Sequence, residues 1–233
     1  MKAMILAAGR GERMRPLTDH CPKPLLAAGG KPLIVRHIER LAAAGITDLV
    51  INHAHLGQLL EAALGDGSAL GVRICWSPEP PGALETAGGI RQAIRFLGEN
   101  PFIAVNGDIY CEADFASLAR ISARLSPDGD LAHLLLIDNP DHNPRGDFAL
   151  VEGRVRADEE PRLTFSGIAA YHPALFAPLE AGKPARLAPL LRGAMGANCV
   201  SGEHYRGRWI DVGTPERLAQ LDASLRGRIG PVR

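Results

Sequence analysis

An apolar run near the start of the chain, Met4 to Ala8, empties into Gly9-Arg10-Gly11-Glu12-Arg13-Met14-Arg15-Pro16, and the segment closes on Lys23 held between Pro22 and Pro24. Few folds can use such a segment. Gly9 and Gly11 remove side chains where backbone has to approach a ligand, and the amides of such a turn form a concavity for anions. Arg13, Arg15 and Lys23 supply the neutralising charge, the arginines through forked donors and the lysine as a compact point charge. The pattern reads as a grip on a nucleoside triphosphate at the carboxyl end of a strand. It is not the dinucleotide fingerprint, because Met14 stands where a third glycine is needed and Pro16 blocks an immediate long helix. Nor is it a P-loop, whose lysine directly follows the last glycine.

The rest of the chain repeats short apolar runs at intervals: Asp48 to Asn52, Val72 to Ser77, Phe102 to Asn106 and Ala132 to Asp138. Between them, helical spacing marks Pro32 to Ala44, Leu56 to Leu64, Thr86 to Leu97 and Phe115 to Leu125. Alternating strand and helix predicts an α/β fold: a Rossmann-like, mixed but mostly parallel sheet flanked by helices, with ligands at the carboxyl ends of its strands. After Asp138 the rhythm changes. A hairpin is expected over Asp147 to Val155 with its turn near Glu152-Gly153, then a strand over Leu163 to Tyr171 and helices near Leu187 to Met195 and Pro215 to Leu225. At 233 residues with 46% hydrophobic content, one sizeable domain fits and two would be cramped. We divide it into a nucleotide-binding half, 1–138, and an acceptor half, 139–227, with a frayed tail after Gly227.

Formal charge is zero, 26 basic against 26 acidic residues, so no global field draws the chain to nucleic acid or an anionic bilayer. Cys21, Cys75, Cys111 and Cys199 have neither paired nor metal-ligand spacing, which suits reduced cytoplasmic thiols. No secretory pattern and no membrane-length apolar run is present in the sequence, so the expectation is a soluble cytoplasmic protein.

A triphosphate site needs a divalent cation, and Mg²⁺ is usually held by one or two carboxylates with phosphate oxygens and water. Asn106-Gly107-Asp108 follows the apolar run Phe102 to Val105, which puts Asp108 on the same rim as the first loop. Asn-Gly is also a hairpin signal, but we expect no second strand after it to pair back. Asp211 follows Trp209-Ile210 and precedes Gly213, Thr214 as N-cap, Pro215 at the first helical position and Glu216 in the first turn. Capping accounts for Thr214 to Glu216 but not for Asp211, the second candidate ligand.

With the loop, Pro22-Lys23-Pro24, Asn106-Gly107-Asp108 and Asp211-Val212-Gly213-Thr214 in that order, the chain resembles the sugar-1-phosphate nucleotidyltransferases over nearly its whole length. The stretches INHAHLG at Ile51 to Gly57, LETAGGI at Leu84 to Ile90, GDF at Gly146 to Phe148, TFSGI at Thr164 to Ile168 and SGEHYRGRWIDVGT at Ser201 to Thr214 narrow the likeness. They are similar to members that uridylylate N-acetylmuramate α-1-phosphate in peptidoglycan recycling. The resemblance implies a GT-A-like fold, UTP and a sugar 1-phosphate as partners, and Mg²⁺ on Asp108 and Asp211. It implies that Gly11, Glu12 and Arg13 meet the triphosphate, that Lys23 reaches phosphate oxygens and that Asn106 faces nucleotide or sugar. It implies further that Ala83 to Gly89, including Leu84 and Gly88, lies along the base with Gly88-Gly89 leaving room for a flat ring, and that Asp147 bonds the sugar. Arg10 and Ala87 depart from the usual pattern, which has lysine and glycine there. A hexose-1-phosphate uridylyl- or thymidylyltransferase stays open, as does a nucleotide-sugar binding module without turnover.

His53 and His55 are two apart at a strand end and would share a strand face, but no acidic or cysteine partner accompanies them, so local bonding or substrate contact is expected. Glu203 to Arg206 alternates faces if extended and cannot act as one unit. Cys21 abuts the loop without evident chemistry.

Overall fold

The protein is described from a computed structural model covering residues 1–80 and 84–227. Among the described residues thirteen strands and six α-helices follow in order. They are β1 (Lys2–Leu6), β2 (Ala27–Ala28), β3 (Lys31–Pro32), α1 (Leu33–Ala43), β4 (Asp48–His53), α2 (Gly57–Leu64), β5 (Arg73–Pro78) and α3 (Glu85–Leu97). Then come β6 (Phe102–Asn106), β7 (Ile109–Cys111), α4 (Phe115–Ser122), β8 (Ala132–Ile137), β9 (Phe148–Val151), β10 (Arg154–Arg156) and β11 (Arg162–Tyr171). The chain finishes with α5 (Leu187–Gly196), β12 (Val200–His204), β13 (Trp209–Asp211) and α6 (Pro215–Arg226).

Nine strands form one sheet in the order β5-β4-β1-β6-β11-β8-β12-β10-β9. The first four are parallel, in register Lys2 with Asp48 and Lys2 with Phe102, and β11 runs antiparallel to both β6 and β8. Both halves of the chain thus contribute to the same sheet.

Alternation along the central strands explains the layering. Ala3 and Ile5, Leu49 and Ile51, Ile103 and Val105 face one side, where Ile34, Ile38 and Leu41 of α1, Leu60 and Leu64 of α2, and Phe115 and Leu118 of α4 pack on them. Met4, Val50, Phe102 and Ala104 face the other, against Ile90 and Ala93 of α3, Leu191 of α5, and Tyr171 and Phe176. The α1 stripe Leu33, Ile34, His37, Ile38, Leu41 has the expected helical spacing, and the chain leaves the helix through Gly45 at φ +78°. The hairpin turn at Glu152-Gly153 puts both residues at positive φ, as a tight two-residue turn between twisted strands requires.

After Asn106 the expectation that no strand pairs back holds among the described residues. A strand does follow Asp108, namely β7, but it pairs with β13, one hundred residues on, and not with β6. Each has three residues, too short for any periodicity to reveal. Ala28, Leu33, Tyr110, Val212, Leu221 and Leu225 form a small core of their own beneath this pair and fasten α6 to β2. Among the described residues no helix is long and apolar enough to cross a membrane. The expected fraying after Gly227 lies outside the described residues.

Candidate active site

The carboxyl ends of β1, β4 and β6 open onto a cavity of about 550 Å³. Ala7 to Arg13 line it with Lys23 and Pro24, with Asn52, Glu79, Glu85 and Thr86, and with Asn106, Asp108 and Gly213. This is where ligands gather in an open parallel sheet.

The loop after β1 is held open from below. Gly11 takes a left-handed conformation, φ +65° and ψ +38°, before one tight turn at Glu12–Met14, whose Met14 is fully buried and anchors it. The Thr18 hydroxyl donates to the Gly11 carbonyl at 2.9 Å, and the Thr18 carbonyl in turn lies 3.2 Å from His55 Nε2. A side chain on Gly11 would meet Lys23 Cβ at 3.2 Å, so the lysine stem runs directly under the glycine. Its ammonium, in a residue only 6% exposed, donates to Asp108 Oδ2 at 2.6 Å. Loop, lysine and aspartate are therefore one connected unit.

Backbone contacts bring the two acidic segments together. Val212 N–H donates to the Asp108 carbonyl at 3.1 Å, and Asp211 stands in register with Ile109. The carboxylates are in different company. Asp108 lines the cavity, whereas Asp211 Oδ2 is bonded by Arg217 Nη1 and lies 3.2 Å from His142 Nε2. Arg217 also donates to His142 Nδ1 at 3.2 Å, which leaves the imidazole proton on Nε2, facing Asp211. Asp211 lines a second cavity, of about 610 Å³, to which Trp209 and Ile210 also contribute, while Gly213 lines the first.

Buried groups around Asp108 are also tied down. His37, fully buried on α1, holds the Ile109 carbonyl through Nε2 at 2.8 Å; burial pushes its pKa down to about 4, so it stays neutral. Gly167, in the bulge of β11 at φ +76°, makes room for Asn106: a methyl there would stand 2.5 Å from Asn106 Nδ2. Asn52 Oδ1 accepts from Ala7 N–H at 2.9 Å while its amide donates to Glu79 Oε1 at 2.6 Å, and Glu79 Oε2 accepts from Leu84 N–H. That chain ties the first loop to the start of α3.

Of the residues singled out in the sequence, Gly11, Glu12, Arg13, Lys23, Asn106 and Asp108 line the first cavity together. Arg15 does not join them; it turns outward, 59% exposed, and pairs with Asp19 at 3.1 Å. Leu84 is buried, and the space beside Gly88 is filled by the Lys183 carbonyl, 2.5 Å from where its methyl would be, so that glycine admits neighbouring backbone. Gly89 instead abuts Glu79 and Asn52; Ala83 lies outside the described residues. Asp147 is half-buried and accepts from Phe165 N–H at 2.8 Å and Asn143 Nδ2 at 3.1 Å. His53 is bonded to Glu61 at 2.7 Å, and no cluster of three or more potential metal ligands occurs among the described residues. Glu85 and Thr86, from the segment expected along the base, and Arg10 line the first cavity too, while sequence reasoning gave no role to Asn52 and Glu79. Asn52 was the findable one, a polar residue ending an apolar strand at the same level as Asn106.

Two carboxylates beside a glycine- and arginine-rich loop suit Mg²⁺, which takes few protein ligands and completes its shell with phosphate and water. Asp108, 40% exposed toward the cavity, fits as it stands, and Asp211 fits once it gives up Arg217 and His142.

Comparison with known proteins bears on this geometry. The family model described as nucleotidyl transferase matches residues 2–152. An N-acetylmuramate alpha-1-phosphate uridylyltransferase of Neisseria meningitidis serogroup B is 56% identical over 96% of this chain and 97% of its own length. One from Caulobacter vibrioides is 35% identical over 96% of each. Among solved structures, a putative glucose-1-phosphate thymidylyltransferase from Bacillus anthracis superposes with a TM-score of 0.83 at 23% identity, covering 97% of this chain and 95% of that one, and so shares the fold.

Proposed function

The chain belongs to the nucleotidyl transferase family, and on that footing we propose that it transfers UMP from UTP to N-acetylmuramate α-1-phosphate, giving UDP-N-acetylmuramate and pyrophosphate, in cytoplasmic peptidoglycan recycling. The observation that carries the reading is the convergence of Lys23 on Asp108 beneath the Gly11 loop, in a cavity large enough for a nucleotide. Identity to the two uridylyltransferases supports the choice of base and sugar.

The chemistry suits a site without a nucleophile-base pair. The second pKa of a phosphate monoester is about 6, so the acceptor phosphate is mostly a dianion at neutral pH and needs no general base. Its oxygen attacks the α-phosphorus, and the bond to the β-phosphate oxygen breaks with the electron pair leaving on pyrophosphate. The obstacle is bringing a dianion onto a polyanion, a matter of neutralisation and alignment. Backbone amides of Gly11 to Arg13 and the Arg13 side chain hold the triphosphate tail. Lys23, desolvated and fixed by Asp108, presents one charge to the phosphate oxygens, where low exposure makes it count for more than in water. Asp108 and Asp211 are the residues that would hold Mg²⁺, which would supply Lewis-acid stabilisation of charge on the phosphates. Arg15, from its outward position, acts only on the approach of anions.

Pyrophosphate release should be followed with each of the four common ribonucleoside triphosphates and dTTP against N-acetylmuramate 1-phosphate, N-acetylglucosamine 1-phosphate, glucose 1-phosphate and mannose 1-phosphate. Turnover is expected with UTP and the muramate. Turnover confined to a neutral hexose phosphate sinks the acceptor assignment, and tight UTP binding with no turnover for any acceptor leaves a binding module.

A further inference from the structure

The second cavity has no role in the account so far. Its inner wall carries Asp211, 15% exposed, and Arg217, 23% exposed, with His142 against both. Arg206, also on its lining, is exposed and has no hydrogen bond or ion pair among the described residues. Two other acids line it, Asp138 and Asp141, but both are exposed to water, and Asp138 stands 3.0 Å from His204 Nε2.

The inner wall is balanced only while Asp211 serves it. Once Asp211 turns to a cation, Arg217 and His142 lose the one carboxylate that holds them, in a partly buried place where an unpaired guanidinium is costly. A second anion is then needed there. The acceptor assigned above is a sugar acid, carrying a lactyl carboxylate besides its phosphate. We propose that this second cavity is the acceptor's carboxylate subsite, in which Arg217, His142 and Arg206 exchange Asp211 for the carboxylate of the incoming sugar acid. Cation capture by Asp211 and recognition of the acid are thereby coupled. A neutral sugar phosphate of the same size leaves the cations unpaired, which is discrimination by an unsatisfied charge.

This inference rests on the muramate reading, and the test separates the two. Relative kcat/KM for N-acetylmuramate 1-phosphate and N-acetylglucosamine 1-phosphate, which lacks only the lactyl ether, is measured in wild type, Arg206→Ala and Arg217→Gln. Loss of a charge-assisted bond to the carboxylate should lower the acid-over-neutral ratio by about 10- to 100-fold in either variant. If Arg217 serves only to position Asp211, its loss slows both acceptors alike and the ratio does not move. A ratio within about threefold of wild type in both variants overturns the subsite while leaving the functional reading intact. Failure of wild type to use the muramate at all overturns the reading and the subsite together.

Discussion

Replacing Gly167 with alanine tests how the sheet shapes the first cavity. The residue sits in the bulge of β11 at φ +76°, a conformation that costs an L-residue roughly 1–2 kcal/mol. The added methyl would stand 2.5 Å from Asn106 Nδ2 and 2.7 Å from Cγ, both impossibly close. Displacing that amide is an overpacking cost of about 1–3 kcal/mol, so the total is about 3 kcal/mol. Urea unfolding at equilibrium measures it, and a Gly167→Ala, Asn106→Ala cycle divides it. If the clash is with Asn106, the double variant recovers about 1–2 kcal/mol relative to the sum of the single ones and keeps only the backbone strain. Additivity within about 0.5 kcal/mol refutes the reasoning. Because the Asn106 amide lines the cavity, the single glycine variant should also raise KM for the nucleotide or the acceptor.

Two further outcomes follow from groups around the same site. His37 has its pKa lowered by burial to about 4, against 6.5 unfolded, so between those values the unfolded chain binds more protons and stability rises with pH. Its neutral form contributes on the order of 3 kcal/mol at pH 7, lost progressively as pH falls from 6.5 toward 4. Urea midpoints at pH 4.5 and 7 should therefore differ less in His37→Gln than in wild type; parallel shifts contradict this. Thr18→Val keeps the methyl packed near Gly11 and deletes the 2.9 Å bond to its carbonyl. The expected loss is about 1 kcal/mol, read as a roughly fivefold rise in KM for the triphosphate with acceptor KM unchanged. An equal rise for both substrates argues against a role in the loop alone.

Long apolar strands and striped helices were legible because burial on one face imposes a period, as in α1, where Leu33, Ile34, His37, Ile38 and Leu41 mark the core side. That the Gly9–Arg13 loop lines a cavity was legible because glycine and basic residues at a strand end have few other uses. What escaped was set by distant partners. The β7–β13 pairing joins segments of three residues, and nothing local tells Ile109 that Asp211 lies opposite. Arg15 and Lys23 look equivalent as charges, yet Asp19, four residues away, draws Arg15 outward while the Gly11 turn covers Lys23. Gly88 reads as space for a ligand and proves to be space for the backbone at Lys183. The hold of Arg217 and His142 on Asp211 depends on a loop, a strand and a helix meeting, which no spacing rule encodes.

The central claim is that Asp108 and Asp211 hold one divalent cation with the nucleotide. Mn²⁺ binding in the presence of UTP, followed by electron paramagnetic resonance in wild type, Asp108→Asn and Asp211→Asn, addresses it without turnover. Each substitution removes a charged ligand and should weaken the UTP-dependent site by about tenfold or more, with the fold intact by circular dichroism. Mn²⁺ affinity equal to wild type in both variants would contradict the account.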